Sequence, residues 1–484
     1  MQQLLRLAFS VLAVASAALP CAAQQIAATE DIKILRPQDV LERSVRHFPS
    51  ILESLAQRSV AAGRNLEAQG AFDIVFSASS RNRITGFWDG QIIEGKAQRN
   101  LRPFGGQVFG SYRLSDGNFP VYEDINFTDS LGEVKIGALF SLLRNRNIDS
   151  RRFSINDTSL ALKQADLDIL LTKLGVQHQA LSAYWRWVAA GHKLQIFRDL
   201  RVLAEERQKG LQKQVDSGAR AAIFLTENQQ NITRRRIFER QAERDLNAAI
   251  ARLALFYRGP DGAIVSPKLD MLPPIPVMDG VVTGWLVETD PALPAVLSLR
   301  PDLAVLRTGV ERARGRVALA ENDLKPRLDF SFEASKDLGN VAEGGISREE
   351  TDTVVGLQFS VPLEMRQARG RLASAKASMD AISQQARLME DRIAVEVETI
   401  LIELRTASDV LELAALEVSQ ADTMRNAEQR RFAQGASDFF LVNVREETAA
   451  DARVRYIDAE LRGHLSRADF DAAVIDTKAL GIDK

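Results

Sequence analysis

One stretch limits the possible folds more than any other. Residues 366–434 contain no proline, and Gly370 is their only glycine, so little in the sequence interrupts a helix there. At about 1.5 Å per residue, such a helix would be roughly 100 Å long, whereas helices of globular proteins average about a dozen residues. A compact core cannot bury a rod of this length, so we expect it to pack against similar rods.

The apolar residues of this stretch repeat with the spacing of a coiled coil. Steps of four and three residues alternate through Ile393, Val397, Ile400, Leu404, Ala407, Leu411, Ala414, Val418 and Ala421. Such steps form the apolar seam of a left-handed coiled coil. Taken alone, this seam predicts no more than a coiled-coil hairpin.

The chain also contains an internal duplication. The segment QVDSGARAAIFLTEN matches FAQGASDFFLVNV, which aligns Gly218 with Gly435, and Pro49 aligns with Pro301 in the same way. Each half therefore has a helix that starts at a proline, two short alternating segments, a very long helix that ends at a glycine, and a shorter returning helix.

These features divide the chain into five parts. A signal segment at 1–23 precedes a first repeat at 24–257. A linker rich in proline and glycine, 258–292, separates it from a second repeat at 293–475, and a short tail covers 476–484.

The first 23 residues are typical of a secretory signal peptide. Arg6 supplies a positive charge, residues 12–19 are apolar, and small residues precede a cut after Ala23. The apolar run is too short to span a bilayer as a helix. Cys21, the only cysteine, is either removed with the signal or kept as a lipid-attachment residue; if it is removed, disulfides are excluded.

Four short segments alternate apolar residues with mostly polar ones, which is the pattern of a strand with two unlike faces. They are residues 72–79, 134–142, 328–335 and 355–361. Strands of membrane β-barrels recur in pieces of about this length. Pro326 and Pro362 stand where helix gives way to strand and strand to helix, positions that tolerate a missing N–H group.

Four strands cannot close a barrel, because their open edges would face hydrocarbon. If these strands enter a membrane, several copies of the chain must therefore share one barrel. The alternative is a pair of soluble hairpins, each with one face on a core, but no remaining segment predicts a layer that would cover them. The sequence thus predicts a homo-oligomer on condition that the membrane interpretation holds.

Three stretches resemble the outer membrane efflux protein family, the TolC-like channels. They are RPDLAVLRTGVERARGRVALAENDLKPRLDF, GLQFSVPLEMRQARGRLASAKASM and RRFAQGASDFFLVNVREETAADARVRYIDAELRG. The resemblance implies a mainly α fold with a small membrane β part. Duplicated long helical hairpins would form a periplasmic α-barrel, and four strands per protomer would complete a trimeric outer-membrane β-barrel. The linker would cross at the equator of the helical tunnel together with the chain ends.

The resemblance also implies a function. The chain would be the outer-membrane exit duct of a tripartite efflux or type I secretion system, a passive homotrimeric channel. A periplasmic adaptor (membrane fusion) protein would dock on its two helical tips, and an inner-membrane transporter would supply the energy. The residues expected to dock are Val215, Gly218, Ala219, Arg220, Gly435, Ala436 and Ser437. Independently of the family, glycine suits the positive φ that a sharp reversal of two rods requires.

Two features depart from the family. Relatives narrow the closed tunnel with acidic residues just after the second tip glycine, where this chain has Leu441 and Val444. Asp438 and Glu227 remain as candidates for an acidic ring at this periplasmic aperture. An insert at residues 88–130, between the first two strands, is expected to face outward as a long loop or an extra hairpin.

The sequence offers little for catalysis. Its four histidines are scattered, and it has neither an HExxH motif nor a phosphate-binding loop. A net charge of −2 gives no reason to expect nucleic acid. We therefore expect no enzyme, no cofactor and no metal, with outer-membrane lipid as the surrounding medium.

Other functions stay open at this point. A periplasmic coiled-coil scaffold or adaptor without a pore would have one hairpin and separate β domains. An autonomous porin would need many more strands in one chain. The sequence does not disclose the cargo, the adaptor or the pump.

Overall fold

The structure, a computed structural model, describes residues 34–274, 291–341 and 350–483. The predicted signal peptide, with Cys21, lies outside the described residues, and so do residues 275–290 of the predicted linker.

Long helices dominate the described part of the chain. In chain order the helices are α1 (Pro37–His47), α2 (Pro49–Gly70), α3 (Ser150–Asp216), α4 (Ile223–Ala254), α5 (Leu293–Leu299), α6 (Pro301–Asp323), α7 (Arg366–Ala433) and α8 (Phe439–Ala473). Two of them stand out, since α3 has 67 residues and α7 has 68. The rod predicted for residues 366–434 is confirmed. None of the described helices is both long and apolar enough to cross a bilayer.

The described strands form one antiparallel sheet. They are β1 (Ile74–Asn82), β2 (Gln91–Asn100), β3 (Gln107–Asp116), β4 (Glu133–Ser141), β5 (Arg327–Asp337) and β6 (Asp352–Ser360). Each strand pairs with the next one along the chain, so the order across the sheet is also the order in sequence. The connection from β4 to β5 contains α3 and α4.

The predicted count of four strands is too low, because the sheet has six. The four predicted segments correspond to β1, β4, β5 and β6. The insert adds β2 and β3, so it contains an extra hairpin. This hairpin lies within the sheet, so the expectation that it faces outward is wrong. This hairpin pairs with β1 and β4 along most of their length and separates them, because its own backbone groups complete the ladder on both sides.

The order of elements repeats along the chain. The set α2, β1, β4, α3 and α4 corresponds to α6, β5, β6, α7 and α8. Both α2 and α6 begin with a proline at the first helical position, where the missing N–H group costs nothing.

The coiled-coil seam of α7 is buried as the spacing predicts. Its eight residues from Ile393 to Val418 are buried, and all but Ala407 share one hydrophobic cluster with Tyr456 and Ile457 of α8 and with Ile196 of α3. The helix α8, which covers this stripe, also packs against α3 and so joins the second helical hairpin to the first. A mainly α architecture with a small β part is therefore confirmed.

A second cluster gathers the chain ends around the middle of α3. The backbone N–H of Leu35 donates to the carbonyl of Met271 over 2.8 Å, and the Tyr184 hydroxyl donates to the carbonyl of Leu35 over 2.9 Å. Leu480, in the tail, is fully buried in the same cluster. The start of α1, the described part of the linker and the tail thus meet at one level of the rods.

Candidate functional site at the helical tips

Both long helices end in the same left-handed turn. Gly218 and Gly435 each have φ of 75°. The N–H of Ala219 donates to the carbonyl of Gln214 over 2.8 Å, and the N–H of Ala436 donates to the carbonyl of Arg431 over 2.9 Å. This bond across five residues defines a Schellman motif, which needs a residue with positive φ. The predicted role of both glycines in the reversal is therefore confirmed.

An aromatic cluster behind the glycines holds the two tips together. The centroids of the Phe224 and Phe439 rings lie 6.2 Å apart, and those of Phe432 and Phe439 lie 6.4 Å apart. The guanidinium of Arg220 lies 5.4 Å from the Phe224 ring and 5.1 Å from the Phe432 ring. Because Phe224 belongs to one hairpin and Phe432 to the other, Arg220 bridges them by cation–π contact.

The predicted docking residues fall into two groups. Gly218, Ala219, Gly435 and Ala436 are exposed at the ends of the hairpins. Val215, Arg220 and Ser437 are half-buried. Ser437 donates to the carboxylate of the buried Glu428, so it ties the second tip back to α7.

The predicted aperture residues lie just behind the tips. The carboxylate of Asp438 accepts a hydrogen bond from the N–H of Phe440 over 3.2 Å and caps α8. Val444 is exposed, whereas Glu227 and Leu441 are half-buried. Within one chain, Asp438 therefore acts as a helix cap, and Glu227 lies partly covered on α4.

A charged cluster lies buried between the hairpins, about three helical turns from the tips. Arg235 on α4 and Glu446 on α8 are almost fully buried, and their charged groups lie 3.1 Å apart. Arg207 on α3 also pairs with Glu446 and donates to the Asn443 side chain over 2.6 Å. Arg235 further donates to the carbonyl of Leu200 over 2.8 Å. Burial lowers the pKa of the Arg235 guanidinium, and the nearby Glu446 opposes that shift.

Sequence reasoning missed this cluster, although a signal for it exists. Ile232, Arg235, Ala242 and Leu246 all lie on the buried stripe of α4, and Glu446 lies on the buried stripe of α8 between Val442 and Ala449. A basic residue in one apolar stripe and an acidic residue in another can form a buried ion pair when the two stripes meet. Sequence spacing cannot tell that the two stripes face each other.

The two prolines mark the junctions between rods and sheet. Pro326 lies between α6 and β5, and its carbonyl accepts a hydrogen bond from the N–H of Arg144 over 3.2 Å. Pro362 follows β6, and α7 begins after Met365, which has φ of 51°. Both lie where the sequence predicts a change of secondary structure.

Metal ligands are not gathered anywhere in residues 34–274, 291–341 and 350–483, where no group of three or more His, Cys, Asp or Glu side chains could hold an ion.

A family model matches the second half of the chain. The model described as "Outer membrane efflux protein" covers residues 292–473. Residues 292–473 are thus similar in sequence to the outer membrane efflux protein family. The resemblance predicted from the sequence is thereby confirmed. Among curated proteins, none matches this chain.

Solved outer membrane proteins share the fold of the whole chain. The outer membrane protein VceC of Vibrio cholerae has 15% sequence identity and a TM-score of 0.63, covering 90% of this chain and 95% of that chain. The Campylobacter jejuni CmeC outer membrane channel has 14% identity and a TM-score of 0.63, with coverages of 92% and 86%. The open state of the Neisseria gonorrhoeae MtrE outer membrane channel has 13% identity and a TM-score of 0.64, with coverages of 91% and 88%. At these identities the likeness establishes the fold.

The first prediction concerns the two tip glycines. Gly218→Ala should lower the free energy of unfolding by about 1–2 kcal/mol, because a Cβ is strained at positive φ. Gly435→Ala should behave alike. Gly210→Ala is the matched control, because Gly210 lies inside α3 with no atom within 4 Å of the added Cβ. It should raise the free energy of unfolding by about 0.5–1 kcal/mol. Denaturant titration of the helical signal measures both, and a gain of stability in Gly218→Ala would contradict the turn.

The second prediction concerns the buried ion cluster. Glu446→Gln should lower the free energy of unfolding by about 3–5 kcal/mol, because it leaves Arg235 buried without a countercharge. Its neighbour Glu447 pairs with the half-exposed Arg234, so Glu447→Gln should cost less than about 1 kcal/mol. The same titration measures both variants. Equal losses of unfolding free energy in the two variants would contradict the prediction that the buried Glu446 pair contributes more stability than the half-exposed Glu447 pair.

Proposed function

We propose that this chain is the outer-membrane exit duct of a tripartite efflux or type I secretion system. Three copies would pool their sheets into one pore through the outer membrane. Their helical rods would continue that pore into the periplasm, where the tips would dock a periplasmic adaptor that is bound to an inner-membrane transporter. The channel itself would be passive, and the transporter would supply the energy.

The observation that carries this proposal is the two-faced sheet. On one face, apolar side chains project without cover: Phe76 is 73% exposed, Ile136 57% and Leu357 69%. On the other face, polar groups pair with one another, as in the 2.5 Å contact between Arg113 and Glu133. A large uncovered apolar patch marks a membrane or protein interface, and an apolar outside with a polar inside is the pattern of a membrane barrel wall.

The open edges of the sheet favour sharing among copies. Within the described part of the chain, β1 and β6 each pair on one side only. The number of strands is even, so these edges run in opposite directions and β6 of one copy can continue the antiparallel ladder onto β1 of the next. Unpaired backbone groups in hydrocarbon cost several kcal/mol each, which favours such closure.

The rods carry a further uncovered stripe. Val395, Ile402, Leu413 and Leu416 of α7 are exposed, although their neighbours in the seam are buried. In the proposed trimer, rods of an adjacent copy would cover this stripe. The number of copies, three, is the number that the family resemblance implies.

The third prediction tests the shared pore. With Ser77→Cys on β1 and either Val354→Cys or Gln358→Cys on β6, oxidised outer membranes should yield disulfide-linked species that end at three chains on a non-reducing gel. All three positions lie on the polar face, as the strand register shows. The control pairs Ser77→Cys with Val355→Cys, which projects to the opposite face. If every pair gives only single chains, the copies do not share a barrel.

The fourth prediction tests docking at the tips. A photoreactive residue at Ala219 or Ala436 should crosslink the same periplasmic adaptor in living cells, because both positions are exposed at the ends of the hairpins. Thr423, exposed on α7 behind the tip, is the control position and should give no adaptor adduct. Mass spectrometry of the adducts names the partner. Equal adducts at Thr423 and Ala436 would argue against docking at the tips.

A further inference from the structure

The inserted hairpin lies within the sheet and spans its full height. Ile74 of β1 pairs with Arg99 of β2, and the pairing continues to the last residue of β1. The next pair of strands, β2 and β3, is in register along ten residues of each. The hairpin is therefore as tall as the four strands beside it.

The turn of the hairpin points toward the helical rods. The side chains of Arg99 and Asn100 donate to the carbonyls of Phe72 and Ala71, at the end of α2, over 3.1 and 2.8 Å. In the turn, the carbonyl of Arg102 accepts a hydrogen bond from Arg152 of α3 over 3.1 Å. A hairpin that merely decorated the outer surface would place its turn away from the rods.

The loops on either side of the hairpin meet at the opposite end of the sheet. The N–H of Gly90 donates to the carbonyl of Asn118 over 3.0 Å, and Arg83 pairs with Glu123 at 2.6 Å. The strands β2 and β3 thus run from the rod end of the sheet to its far end.

The hairpin continues the apolar face of the sheet. One row across the strands places Phe76, Ala97, Gly110, Ile136 and Ala334 opposite one another. The next row continues with Ala78, Gly95, Tyr112 and Val134. Apolar side chains therefore follow one another from β1 through the hairpin to β5 without a change of face.

The hairpin continues the polar face as well. Ser77, Lys96, Ser111, Lys135 and Ser335 form one row on that side. The Arg113–Glu133 ion pair joins β3 to β4 there, with both side chains mostly covered. A strand with one apolar and one polar face fits a wall between lipid and water, whereas a solvated loop hairpin has no need of this division.

We infer that all six strands of each copy, including the inserted hairpin, lie in the membrane wall. This inference rests on the proposed shared pore. Three copies then give eighteen strands, instead of the twelve that four strands per copy would give. Since barrel diameter grows roughly linearly with strand number, the outer mouth becomes about 1.5-fold wider. Charged side chains of the hairpin, among them Glu94, Lys96 and Arg113, then line this mouth.

The fifth prediction tests this inference by thiol labelling in outer-membrane vesicles with a membrane-impermeant maleimide. Ile93→Cys and Leu114→Cys, on the apolar face of the hairpin, should not be labelled, because lipid would cover them. Glu94→Cys, on the opposite, polar face, should react with the maleimide. Leu357→Cys on β6 is the reference for lipid exposure, because Leu357 and Ile93 are similarly exposed in a single chain, 69% and 59%. Unfolding in detergent should restore labelling at every position.

The outcomes separate this inference from the proposed function. Protection of Ile93→Cys together with Leu357→Cys supports a wall of six strands per copy. If Ile93→Cys reacts like Glu94→Cys while Leu357→Cys stays protected, the hairpin lies outside the membrane and only this inference fails. If Leu357→Cys also reacts, the sheet does not face lipid, and the proposed pore fails with it.

Discussion

The proposed pore depends on the backbone groups at the two open edges of the sheet. In hydrocarbon no water can satisfy an unpaired N–H or C=O group, so a spanning sheet must close on itself. Six strands in one chain leave the outer edges of β1 and β6 without partners in the described part of the structure. Pairing between copies satisfies both edges at once, because the edge strands are of equal length and run in opposite directions. Oligomer formation and pore formation are then the same event.

In the proposed duct, the helical rods extend from the sheet away from the membrane. The seam of α7 packs against α8, which in turn packs against α3 of the first hairpin. Short connections lead from β4 into α3 and from β6 into α7. At the far end, the Phe224, Phe432 and Phe439 cluster and the buried Arg235–Glu446 pair hold the two hairpins of a chain together. The exposed glycine turns therefore rest on residues that join both hairpins, which suits the docking surface proposed there.

Much of this architecture could be predicted from local patterns. The seam from Ile393 to Val418 was predictable because a period of three and four residues depends on no distant partner. The tip glycines were predictable because the same turn occurs twice in the chain. The sequence alone does not decide between loop and hairpin for the insert, because Arg99, Gly95 and Gly110 interrupt the apolar alternation of its strands. Membership of a sheet also depends on the neighbouring strands that complete the ladder. The Arg235–Glu446 pair joins residues far apart in sequence, so only the packing of the rods brings them together.

The most direct test of the central claim is the mass of the particle that detergent extracts from the outer membrane, measured by light scattering with the bound detergent subtracted. Edge pairing among copies predicts a single species of three times the mass of one mature chain, which falls apart only when the sheet itself is unfolded. A particle of one chain that stays dispersed without detergent would contradict it.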